Sequence, residues 1–174
     1  MGLDISAYSH MVKSSINPTT EEETEEAWER GAQCAFWYHG FDRSGRGLVQ
    51  DAWYEPTDQT KSHGFRAGSY SGYNHWRKDL AEHVGLELQP DGPNDYWGKP
   101  DTGQPFYELI NFADNEGTIG PEAAADLLAD FRAHEKSYVA AHSTGPMGEY
   151  DVERYHHWIL AFELASQGGM VVFH

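Results

Sequence analysis

The chain has 174 residues, 39% of them hydrophobic and 14% aromatic, with 12 basic residues against 28 acidic ones and a net charge of −16. That length corresponds to a single domain, residues 1–174, and aromatic content this high excludes a wholly disordered chain. The negative charge repels nucleic-acid backbones and anionic membranes, and no apolar run approaches the ~20 residues a membrane helix needs, so neither is expected as a partner.

The start, MGLDIS, matches the myristoylation spacing of Gly2 and Ser6. It also carries Asp4 and no basic segment, which argues against a signal peptide. Leu3 and Ile5 on one face favour a first strand, expected over 3–12. INPTT (16–20) is a turn in which Thr19 or Thr20 caps a helix over 21–30, with EEETEE forming an acidic first turn. AQCAFWYHGF (32–41) reads as a buried strand and places Cys34, the sole cysteine, in an apolar run as an inert thiol. One cysteine permits no internal disulfide, which fits a reducing compartment. A turn at 42–47, a strand at 48–55 and a loop at 56–64 follow.

The next stretch, FRAGSYSGYNHWR (65–77), reads as a Gly/Ser-rich turn entering a helix over 72–84. Tyr73, Trp76, Leu80 and Val84 form that helix's apolar stripe. Residues 86–104 hold three prolines and three glycines and read as a long loop. PFYELINF (105–112) fits either a short helix or a strand. Pro121 opens a helix to about 141, with Leu127, Leu128, Phe131, Tyr138 and Val139 apolar. A last helix over 151–167 turns Val152, Tyr155, Ile159 and Phe162 to one face, and Gly168 and Gly169 end it before a closing strand. The expected fold is therefore α+β: a single domain with a small, mostly antiparallel sheet packed on about three helices.

The motifs exclude several chemistries. GSYSG has Tyr70 where a nucleophile elbow needs serine, and no Walker lysine follows. An EF-hand register through Gly117 and Ile119 puts Phe112 first and Ala123 twelfth, so the loop lacks its bidentate glutamate. His134-Glu135 is not followed by a zincin histidine, and adjacent His156 and His157 point about 100° apart on a helix. No metal and no cofactor is expected.

What remains is a helix entry able to hold an anion on backbone N–H groups. Ser69 and Ser71 add hydroxyls, Arg66 and Arg77 add charge, and Tyr70 and Tyr73 offer rings, with Asn74 alongside. Each feature also has a purely structural reading, in which Ser71 caps the helix, the glycines make the bend and Trp76 is core. A second Gly-rich helix entry, INFADNEGTIGPE (110–122), would converge on the first and supply Asn111, Asp114, Glu116 and Thr118. A surface turn with an Asx cap explains it equally well.

The stretches MGLDI, GFRAGSYSGYNHWR, INFADNEGTIGPE and the closing FH together resemble a group of small bacterial and phage proteins that has no established activity. The resemblance implies a cytoplasmic microbial protein, and by analogy a phage anti-defence factor that sequesters a nucleotide signal. It transfers no catalytic residue. The expected function is binding of a small, anionic, planar ligand, a nucleotide in the sharpest form. One alternative is an inhibitor that covers a partner protein with an acidic, aromatic surface, which is compatible with a homo-oligomer. The other is a hydrolase using Asp114 and Glu116.

Overall fold

The computed structural model describes residues 2–38, 40–86, 103–112, 116–144 and 147–174. Most of the expected loop 86–104, namely 87–102, lies outside the described residues. The first strand is split in two, β1 (Leu3–Tyr8) and β2 (Met11–Lys13), because His10 adopts a left-handed backbone with φ 51°. α1 (Glu21–Glu29) begins at Thr20 with a capping box: Thr20 accepts from the Glu23 amide, and the Glu23 carboxylate accepts from the Thr20 amide. The expected strand over 32–41 contracts to β3 (Gln33–Cys34), and that over 48–55 to β4 (Trp53–Pro56). Beyond Cys34 the chain continues as irregular backbone that ties Phe36 to Thr118.

Two strands lie where the sequence shows turns. β5 (Ser62–Gly68) covers the start of the Gly/Ser-rich stretch, and β6 (Gly117–Ile119) lies inside the calcium-loop mimic. Neither has a clean alternating pattern, and both exist because a neighbouring strand offers a ladder. α2 (Tyr70–His83), α3 (Tyr107–Ile110), α4 (Pro121–His142), α5 (Gly148–Ala165) and β7 (Met170–Phe173) complete the elements of the described residues.

β5-β1-β7-β6 form one antiparallel sheet and β2-β4-β3 another, so the protein is a single α+β domain, with five helices among the described residues instead of about three. Register is set by Leu3, Ile5 and Ala7, which point into the core, with Ile5 opposite both Phe65 and Phe173. α5 packs against β1, β5 and β7, and α4 packs on α5.

The core is aromatic. Trp76 of α2 stacks on Trp158 of α5 at 5.6 Å and 7°, with Tyr73, Phe131, Phe162 and Phe173 around them. Buried aromatics usually find partners for their polar tips, and two do here, while Trp158 Nε1 has none among the described residues. Trp76 Nε1 donates to the Tyr138 hydroxyl at 3.0 Å, and the Tyr155 hydroxyl donates to the Phe131 carbonyl at 2.7 Å. Burial pushes the Tyr138 hydroxyl pKa up to about 12 and raises that of Tyr155 further.

The α5 face differs from the expected one. Tyr155 and Phe162 are buried, but Val152 and Ile159 are half-exposed, and Arg154, Trp158, Ala161 and Ala165 take the core side. The Trp76–Trp158 stack sets this rotation, because the large flat indole buries more apolar area than either branched side chain.

Candidate functional site

β5 runs antiparallel to β1, and β6, antiparallel to β7, runs parallel to β1. β5 and β6 therefore point in opposite senses from opposite edges of the sheet. Their C-terminal ends lead into α2 and α4, so the two helix entries lie at opposite ends of the sheet. Three strand spacings, about 14 Å, separate the edges as well. The sequence residues accordingly separate into three places.

The first is the β5–α2 corner, which holds Arg66, Ser69, Tyr70 and Ser71. Ser69, not Ser71, is the α2 N-cap and accepts from the Gly72 amide at 3.0 Å. The Ser71 hydroxyl lies 3.2 Å from that of Ser69. The cap leaves the Tyr70 and Ser71 amides as open donors of the first turn. Gly68 enters this turn with φ +123°, a conformation that a Cβ would strain. Arg66 is exposed, and among the described residues its guanidinium makes no hydrogen bond or ion pair.

The second place is the interior. Tyr73 is buried at 0% exposure. Arg77, 5% exposed, donates to the Ile110 carbonyl at 3.1 Å, to the Phe112 carbonyl and to Asn74 Oδ1, and lies 4.9 Å over the Tyr73 ring. Asn111, also buried, donates to the Tyr107 carbonyl at 2.8 Å. The α2 helix and the INF segment thus do meet, but through backbone carbonyls inside the fold. Arg77 pins α2 to the end of α3.

The third place is the β6 edge. Thr118 is buried; its hydroxyl accepts from the Phe36 amide at 3.3 Å and donates to the Cys34 carbonyl at 3.4 Å. Glu116 is exposed and accepts from the Tyr38 hydroxyl. Asp114 lies outside the described residues. Cys34 is half-buried, and burial followed by Asp51 raises its pKa, which keeps it a thiol. Among the described residues no three His, Cys, Asp or Glu side chains are placed to hold a metal ion.

At the β5–α2 corner the structure adds residues from α5. A pocket of about 190 Å³ is lined by Phe65, Arg66, Tyr150, Glu153, Arg154 and His157. A Cβ on Gly68 would stand 3.5 Å from the Tyr150 hydroxyl and 3.9 Å from Arg154 Nη1, so α2's first turn borders this pocket. Arg154 is fixed by Asp151 at 2.7 Å and lies between the rings of Trp76 and Tyr150, at 5.2 and 5.0 Å. Among the described residues its Nη1 makes only a 3.4 Å bond to the Ala67 carbonyl, and its buried Nε has no partner. Guanidinium has five donors, so capacity remains. His157 Nδ1 lies 3.1 Å from His63 Nε2, with Phe65 stacked on both rings. Burial, and then His157, lower the His63 pKa.

Arg154 left one trace in the sequence, as a cation between Tyr150 and Trp158 at i, i+4 and i+8 on a core-facing helix. Such an arginine is buried for a reason. Its proximity to Arg66 comes only from α5 packing on β5. Comparison of the chain with protein-family models, with curated proteins and with solved structures returns no match.

Proposed function

We propose that the protein binds a small anionic ligand at the β5–α2–α5 corner. The observation that carries this reading is the pocket that Arg66 and Arg154 both line beside the first turn of α2, with the Arg66 guanidinium lying against Gly2 and making no hydrogen bond or ion pair among the described residues. Two guanidinium groups, the Tyr70 and Ser71 amides and the Ser71 hydroxyl suit a phosphoryl or carboxylate group. In a chain of net charge −16 a local cationic pair has to supply this attraction at short range, within the Debye length of ~8 Å.

The pocket's 190 Å³ is below the ~300 Å³ at which drug-sized pockets begin, so it takes the anionic group and not a whole nucleotide. A planar moiety would lie outside it, against Tyr150, which is 40% exposed, and Tyr70. A nucleoside phosphate fits this division. Glu153 on the rim disfavours a second, widely spread charge.

The test is calorimetric titration with inorganic phosphate, pyrophosphate and AMP at low salt. Binding by the wild type and its loss in Arg66→Met, with AMP tighter than phosphate through the rings, supports the reading. Equal binding by wild type and Arg66→Met, or none to any of the three anions, overturns it.

A further inference from the structure

A second recess lies across the sheet, between the two sheets and α1. It measures about 650 Å³ and is lined by Trp28, Gln33, Cys34, Phe36, Glu116, Gly117, Thr118, Val172, Phe173 and His174. Trp28 is 58% exposed and tilts against Trp53 at 6.3 Å, which holds the indole at the rim. Phe36 meets Tyr38 edge-to-face at 5.1 Å and 78°, and the Tyr38 hydroxyl donates to Glu116. One aromatic pair thus both walls the cleft and holds its carboxylate.

Among the described residues no lysine or arginine lines this cleft, and Glu116 is the one acidic side chain that does. His174 donates or accepts at the Ser6 hydroxyl, 3.1 Å away, and burial lowers its pKa, so it adds no positive charge near pH 7. Aromatic faces carry negative potential and attract ammonium groups, most strongly where water is partly excluded. The surrounding net charge of −16 acts in the same direction. An anion would meet Glu116 with no lysine or arginine among the described lining residues to offset it, which separates this cleft from the Arg66 corner.

We infer that the cleft between α1, β3 and β6 binds a small alkylammonium cation, with Trp28 and Phe36 as its aromatic walls and Glu116 as its counter-charge. A tetrahedral, methylated ammonium fits better than a bare one, because its methyl groups contact rings and it gives up little hydration. This site is independent of the anion corner.

The probe is choline chloride, followed through the Trp28 indole N–H signal in NMR titration. The control is 3,3-dimethylbutan-1-ol, which has choline's shape without its charge. Saturable choline binding with the alcohol about tenfold weaker or worse supports the inference. Glu116→Gln should weaken choline about tenfold, and Arg66→Met should leave it unchanged. Glu116 is exposed, so its amide variant folds normally and its result is readable even where Trp28→Ala loosens α1. Three results overturn the inference: no saturable shift with choline, equal binding of the alcohol, or choline affinity unaltered in Glu116→Gln.

Discussion

Replacing Arg77 and Arg66 by methionine separates fold from site within a single stretch of 13 residues. Arg77 is 5% exposed and supplies donors to two backbone carbonyls, Ile110 and Phe112. Methionine keeps most of the buried stem, so little apolar contact is lost. Both carbonyls lose the donor, at about 1–3 kcal/mol for each buried polar group left unsatisfied. Removing a buried guanidinium returns part of its desolvation cost, which brings the sum to about 3 kcal/mol. For a chain of this size 1 kcal/mol corresponds to about 2–4 °C, so Arg77→Met lowers Tm by about 6–12 °C. Arg66 makes no hydrogen bond or ion pair among the described residues, and Arg66→Met changes stability by about 0.5 kcal/mol or less. Calorimetric or circular-dichroism melts of both variants, combined with anion titration, give the answer. Arg66→Met should lose binding with an unchanged melt, and Arg77→Met should lose stability first. An Arg77→Met melt within about 2 °C of wild type, below the range derived above, would refute the structural role assigned to this arginine.

A Cβ on Gly169 would fall on the Tyr8 carbonyl oxygen, whereas one on Gly168 meets nothing within 4 Å and only strains a φ of +71°. Gly169→Ala should therefore cost about 3 kcal/mol and Gly168→Ala about 1 kcal/mol in urea unfolding, and the reverse order would show that the β1–β7 approach is wrong. Burial lowers the pKa of His63, His83 and His174 below the ordinary 6.5, aided by neighbouring histidines in the first two. The unfolded chain then binds more protons, so stability is intact above pH 6.5 and falls as pH drops through the lowered pKa values. Unfolding midpoints from pH 8 to pH 5 should decline, with a shallower slope in His63→Phe; a flat profile contradicts the burial of these rings. Cys34, a thiol with its pKa raised by burial and Asp51, should alkylate with iodoacetamide more slowly than free cysteine at the same pH. Faster reaction would mean an activated thiolate.

Local sequence determined the features that depend on neighbours a few residues apart. A cap at Thr19 or Thr20 for α1, the Pro121 start of α4, and the Tyr73, Trp76 and Leu80 stripe of α2 were readable from spacing alone, and the structure selects Thr20 and adds Glu23. So were the first and last strands and the α+β class. Even the burial of Arg77 was latent there, since it falls four residues after Tyr73 and three before Leu80, on the core stripe. Its acceptors at Ile110 and Phe112 were not.

β5 and β6 escaped because glycine-rich segments such as SHGFRAG have little strand preference of their own, and pairing with β1 and β7 makes them strands. That pairing also fixed what the candidate sites contain. Opposite strand senses sent Ser69 and Pro121 to opposite ends of the sheet, and the packing of α5 on β5 brought Arg154 beside Arg66 across 88 positions of chain. Helical periodicity repeats every few residues and is written in the sequence. Strand register and helix docking join distant segments, and only the closed core selects among them.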